Sequence, residues 1–219
     1  MPRQTYSQFI TGYFECETCG VVDRDDLRIQ VGYRCPRCGA PGESALCYFT
    51  LPVAAICDLI GELYPLPDLD ATPFPQVAPP IRDSHQLALL VFFCTLGEVL
   101  LQHFLERCMN GMAIPADIQT RLLADSLYPK QRIERLFPIL AGAKWSDAVA
   151  AAGAHDGADF TPTVAFYIDA TEKRNELLHR ANVWVVPQNM ARQCFEQTVP
   201  LLRLFVALHN TYLIKPVQA

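Results

Sequence analysis

Four cysteines set the first condition on how this chain can fold. Cys16 and Cys19 form one Cys-x2-Cys pair, Cys35 and Cys38 form a second, and fifteen residues separate the two. A glycine follows each pair at once, Gly20 and Gly39, and its freedom to take positive φ lets the backbone bend so that amides approach the sulfurs. Two such knuckles can clasp one tetrahedral Zn2+ through four thiolates, which makes a zinc ribbon. Iron is the minor competitor for such a sulfur set. Four thiolates leave no open position for water, so the expected metal is structural. It would stabilise a unit too small to bury an adequate core. A redox role for the pairs is the weaker reading, because neither opens a helix within a βαβ pattern. Residues 27–31, Leu-Arg-Ile-Gln-Val, alternate as a strand does. Arg3, Arg24, Arg28, Arg34 and Arg37 stand against six acids in this region, so no basic face is expected on it.

The other five cysteines, Cys47, Cys57, Cys94, Cys108 and Cys194, lie singly among apolar residues. Lone thiols of that kind behave as small core residues in a reducing compartment. With 51% hydrophobic and 19% charged residues the chain should pack tightly. Its 219 residues can hold one good core plus a small module. The longest apolar region, from Leu87 to Leu101, is interrupted by Thr95, Gly97 and Glu98, and reads as a buried helix and not a membrane span. Arg3, Gln4 and Ser7 near the start give no apolar signal region, so a cytoplasmic location is expected. A net charge of −5 argues against a broad electrostatic grip on nucleic acid. Lys130, Arg132, Arg135 and Lys144 form a basic run that reads as a solvated helix face.

The expected fold class is mainly α: a helical bundle with a small N-terminal β zinc ribbon. Residues 1–50 form the ribbon, and residues 51–82 a proline-rich linker or strap containing a short helix from Leu51 to Leu63. Residues 83–219 form the bundle. A central helix should start at Asp83 or Ser84 and stop at Asn110-Gly111. Glu98 lies deep inside it, and a carboxylate there needs an arginine partner or a wet cleft. Shorter helices should follow at 115–127, from Pro129, and at 145–152, then a loop at 153–160. The last helix should run from Asn189 to Tyr212 with Pro200 inside it.

Between these lies a helix whose start is marked by Thr161 as N-cap and Pro162 at the first helical position. At Lys173-Arg174-Asn175-Glu176-Leu177-Leu178-His179 it turns from apolar to strongly polar. Asn175 and His179 share a helix face, whereas Arg174 and His179 stand about 140° apart around the axis. One helix does not easily aim both at a single small target. A second copy across a two-fold axis would.

This arrangement, Arg174, Asn175 and then His179 after three residues, resembles the Arg-polar-(x)n-His signature of the HEPN superfamily. Those are small all-helical domains found in many prokaryotic toxin and phage-defence ribonucleases. The likeness covers roughly residues 83–215, and only the motif is specific within it. It implies a HEPN-like bundle acting as a metal-independent endoribonuclease, a homodimer through the motif helices, with RNA as substrate and an antitoxin or defence-system protein as a further partner. It also implies catalytic roles for Arg174, Asn175 and His179, and a substrate-binding role for Lys173, Arg180 and Glu98. Many relatives carry a glycine soon after the histidine, where this chain has Arg180-Ala181-Asn182. Asn182 is then the residue expected to take the left-handed conformation. Two other readings stand beside this one. The motif residues can be ordinary partners of a helix C-terminus within a non-catalytic adaptor, or the chain can be a DNA-binding regulator that works through its zinc module.

Overall fold

The computed structural model describes residues 12–24, 32–41, 45–64, 84–187 and 189–214. The expected strand at 27–31, the prolines from Pro65 to Pro80 and the cap at Asp83 lie outside these. The chain is mainly α with a small N-terminal antiparallel sheet. Strands β1 (Tyr13–Cys16), β2 (Val22–Arg24) and β3 (Ala45–Cys47) lie in the order β2-β1-β3. Among the described residues seven helices follow: α1 (Leu51–Leu63), α2 (Ser84–Gly111), α3 (Ala116–Ala124), α4 (129–141), α5 (Trp145–Asp156), α6 (Thr161–Arg180) and α7 (Met190–Tyr212).

Among the described residues α1, α4, α6 and α7 pack on α2, and α5 packs on α7. Leu89, Leu90, Phe93, Cys94, Leu96, Leu100, Leu101, Phe104, Leu105 and Met109 are all buried, because the helix has apolar residues on nearly every side. Its length and mean hydropathy of 1.8 would let it cross a membrane. Here α1, α4, α6 and α7 lie against it instead, as they would around a core helix. Helix α1, expected as part of the join, belongs to this body through buried Val53, Cys57 and Ile60. Tyr64 at its end stacks on Phe195 of α7 with centroids 3.9 Å apart.

Helix α2 ends at Gly111, as expected; beyond it Ala113 takes the left-handed turn at φ 55° while the Ile114 amide reaches back to the Met109 carbonyl at 3.0 Å. Other helix limits differ from expectation for local physical reasons. In α4, residues Arg132–Leu136 form a π-helical stretch just before Pro138, which lacks the amide that regular bonding would require. Helix α5 runs through Gly153 to Asp156 rather than ending at Ala152. Gly153 is there for clearance: a Cβ would stand 2.5 Å from the Ala158 carbonyl, where the chain folds back over the helix end. For α6 the first-turn acceptor is Asp159, which takes the Thr161 amide at 2.9 Å. Thr161 is itself the first helical residue.

Helices α2 and α6 meet at Gly97. The ring of Tyr167 lies directly over it, and a Cβ at residue 97 would overlap three ring atoms. Gly97→Ala should therefore lower stability by about 1 kcal/mol, the overpacking penalty of ~1–3 kcal/mol exceeding the helix-propensity gain of up to ~1 kcal/mol. Gly111→Ala on the same helix meets nothing and should be neutral or slightly stabilising. Urea denaturation of the two variants against the parent measures the contrast.

Candidate metal centre and motif helix

The two knuckles are built alike. In the first, Cys16 N donates to Val21 O (2.9 Å) and Gly20 N to Cys16 O (2.7 Å); in the second, Cys35 N donates to Ala40 O (2.8 Å) and Gly39 N to Cys35 O (2.8 Å). Gly20 and Gly39 take φ of 75° and 72°, a region costly to any residue with a Cβ. The outcome is four sulfurs within 4.8 Å of one another. Cys16 Sγ lies 3.7 Å from Cys38 Sγ, and Cys19 Sγ lies 3.6 Å from Cys35 Sγ. A tetrahedron of sulfurs about 2.3 Å from a central ion has edges of about 3.8 Å. The residues thus fit a metal ion held by four thiolates. Without a cation, burial pushes the Cys19 thiol up to about 12, and a bound ion would reverse that preference.

This centre is seated on the helical body by polar contacts from the end of α7. Asn210 Nδ2 donates to Val22 O and Asn210 Oδ1 accepts from Val22 N, both at 2.8 Å, so one side chain pairs with β2 as a neighbouring strand would. The ring nitrogen Nε2 of buried His209 lies 2.7 Å from Gly20 O. A carbonyl only accepts, so Nε2 carries the proton and Nδ1, buried and without a partner among the described residues, carries the lone pair. On the other side Glu15 of β1 pairs with Arg107 of α2, whose guanidinium sits 4.7 Å over the Tyr48 ring. None of these seating residues could be singled out by sequence. They become legible only once β1, α2 and α7 are brought together.

The remaining cysteines divide. Cys57, Cys94, Cys108 and Cys194 are buried, and Cys47 is exposed, contrary to the expectation of a core thiol. Burial pushes Cys57, Cys94 and Cys108 each up to about 12, so they are inert packing groups.

On α6 the motif residues go to two sides. Arg174 turns inward and pairs with Glu98 of α2, both partly buried, beside Cys94 and the buried ring of Tyr167. The arginine partner that Glu98 required is thus Arg174. Arg174 Nε and the Tyr167 hydroxyl are both buried without a partner among the described residues. Asn175 and His179 lie on the exposed side. Lys173 pairs with Asp169 and Arg180 with Glu176, each one helical turn back. Ala181, not Asn182, takes the left-handed conformation at φ 51°, and its amide satisfies the Glu176 carbonyl. One protomer therefore brings Arg174 to Glu98 and leaves His179 on another face. Of the second basic run, Lys130 pairs with Glu134, and Arg132 bonds to the Ser126 carbonyl and to Gln102.

No family model, curated protein or solved structure matches the chain.

Burial lowers the pKa of His209 and of His103, with Arg107 adding to the effect at both. In the unfolded chain both rings protonate below about 6.5. A lowered folded-state value means their contribution is complete above that pH and is lost as pH falls below it. Urea midpoints measured from about pH 7.5 down to 5.5 should decline on the acid side. His209→Gln, which keeps a donor for Gly20 O without titrating, should show a shallower decline.

Proposed function

We propose that this chain is a metal-independent endoribonuclease of the HEPN type, acting as a homodimer, with Zn2+ held structurally by Cys16, Cys19, Cys35 and Cys38. The observation that carries this reading is the freedom of His179. An imidazole at the end of a helix is most simply explained as a partner for the last carbonyls. His179 has no hydrogen bond or ion pair among the described residues and stands exposed beside Asn175. An available imidazole on an open face is what a general base needs.

In this reading His179 takes the proton of a ribose 2′-hydroxyl. The oxygen attacks the adjacent phosphorus, and the products are a 2′,3′-cyclic phosphate and a 5′-hydroxyl end. Asn175, one turn before His179, orients the imidazole or the phosphate. Arg174 supplies charge to the phosphoryl oxygens through the part of its fork that Glu98 leaves open. Glu98 then serves to hold Arg174 and does not itself touch RNA. Because Arg174 and His179 lie on different sides of α6, a complete site draws on two copies facing each other. Ile168 and Leu178, 46% and 56% exposed on or beside the same outer side of α6, offer apolar surface for that contact. Such an activity would need restraint inside a cell, by an antitoxin or a defence-system partner, and a cytoplasmic setting with its RNA.

One observation favours the adaptor as a second reading. Lys173, Arg174 and Arg180 are each paired with an acid of the same chain, which leaves less positive charge for phosphate.

The two separate in an assay of single-stranded RNA with EDTA added together with the substrate. The parent should cleave, leaving cyclic phosphate ends, and His179→Ala and Arg174→Ala should each lose about 10²-fold or more. Three equally inert proteins would overturn the ribonuclease and favour the adaptor. Elemental analysis of the purified chain should find zinc in the parent and its loss in Cys19→Ser. Amide exchange at Gly20 and Val22 should rise in that variant, because the seat on α7 depends on the knuckle.

A further inference from the structure

Trp184 lies 58% exposed five residues beyond His179, and among the described residues its indole makes no ring contact or hydrogen bond. An indole left in water is uncommon, since it forgoes the burial of a large apolar surface. It is also held in place. After Ala181 reverses the chain, Val183–Val185 form a single 3-10 turn that packs against α6. The Asn182 side chain accepts the Trp184 amide at 3.3 Å, the Val186 amide bonds to the Val183 carbonyl, and Val186 is buried beneath. The backbone that carries the ring is therefore fixed, while the ring itself projects.

We infer that Trp184 is a stacking platform for an unpaired nucleobase of the RNA, next to the phosphate handled by the motif. The inference rests on the ribonuclease reading and deepens it by naming single-stranded RNA as the substrate form. Charge makes the case for stacking. With a net charge of −5 and the cations of the motif already paired, few phosphate contacts are available to hold the strand. Stacking on an aromatic face needs no charge and accepts every base. Bases within a duplex are already stacked on one another, whereas those of loops and single strands can be taken up by a protein ring. A platform fixed by a capped turn does so without first being ordered.

The chain has two tryptophans, Trp145 and Trp184, and Trp145 is packed edge-on against Phe137 at 5.0 Å. Emission that changes on adding RNA thus reports mainly on Trp184. The test uses the full chain carrying His179→Ala, titrated with an unpaired oligoribonucleotide of about eight residues, and the matching DNA-free hairpin stem as a duplex control. Quenching by the single strand, weak with the stem, is expected. Adding Trp184→Ala should abolish the quenching and weaken binding roughly 5- to 100-fold, with Trp184→Phe retaining most of the affinity. In the otherwise unaltered enzyme Trp184→Ala should raise KM more than it lowers kcat. Unchanged affinity in Trp184→Ala beside a parent that cleaves RNA overturns the platform and leaves the ribonuclease standing. Dissociation of a parent dimer into monomers by Trp184→Ala, seen in sedimentation, also overturns it by assigning the ring to the subunit contact. Quenching through Trp184 without any cleavage by the parent overturns the ribonuclease and leaves the platform.

Discussion

A helix that is apolar on nearly every side has to be surrounded, and α2 imposes that requirement on the helices around it. Leu89, Phe93, Leu100, Phe104 and Leu105 are buried along it, so α1, α4, α6 and α7 are drawn around it from different directions. Three of the breaks in its apolar surface meet a need of a neighbouring element. Gly97 gives the Tyr167 ring room to lie on the helix, Glu98 receives Arg174 one residue later, and Arg107 reaches across to Glu15 near the far end. The candidate site and the ribbon are thus both referenced to the same axis, one through Glu98 and the other through Arg107.

Periodic and chemically specific features were readable in the sequence. The two knuckles were, because only a few residue types can bind metal and their spacing is fixed by the bend between them. The central helix was, since its apolar run is too long to be a strand. Limits were harder. Gly153 reads as a breaker that ends α5 at Ala152, whereas its small size serves the return of the chain at Ala158 and the helix continues to Asp156. Thr161 reads as a cap, yet it is the first helical residue and Asp159 accepts its amide. Asn182 looked like the left-handed residue, yet Ala181 takes that place and Asn182 caps the next turn instead. In each case the packing of the following segment, and not local propensity, decides the boundary; at Ala181 it does so against the cost of a Cβ at positive φ.

The motif residues were legible as a group but not as a geometry. Sequence spacing separates Arg174 from His179 by more than a quarter turn, and the fold turns that separation into two environments. One is an ion pair in the α2–α6 contact. The other is an open imidazole. Which acid would claim Arg174 depended on the approach of a helix 76 residues away in the chain, which no local pattern carries. The same is true of His209 and Asn210, which read as ordinary polar residues at the end of an amphipathic helix until the ribbon is laid against them.

Asn210 has an effect beyond fixing the ribbon to the body. By occupying both the amide and the carbonyl of Val22, it fills at that position the hydrogen-bonding groups that an outermost strand ordinarily offers to any extended peptide. At Val22 the described sheet thereby offers no free backbone group to a foreign strand. The protection comes from a carboxamide on a helix, so it lasts only as long as the helix keeps its station.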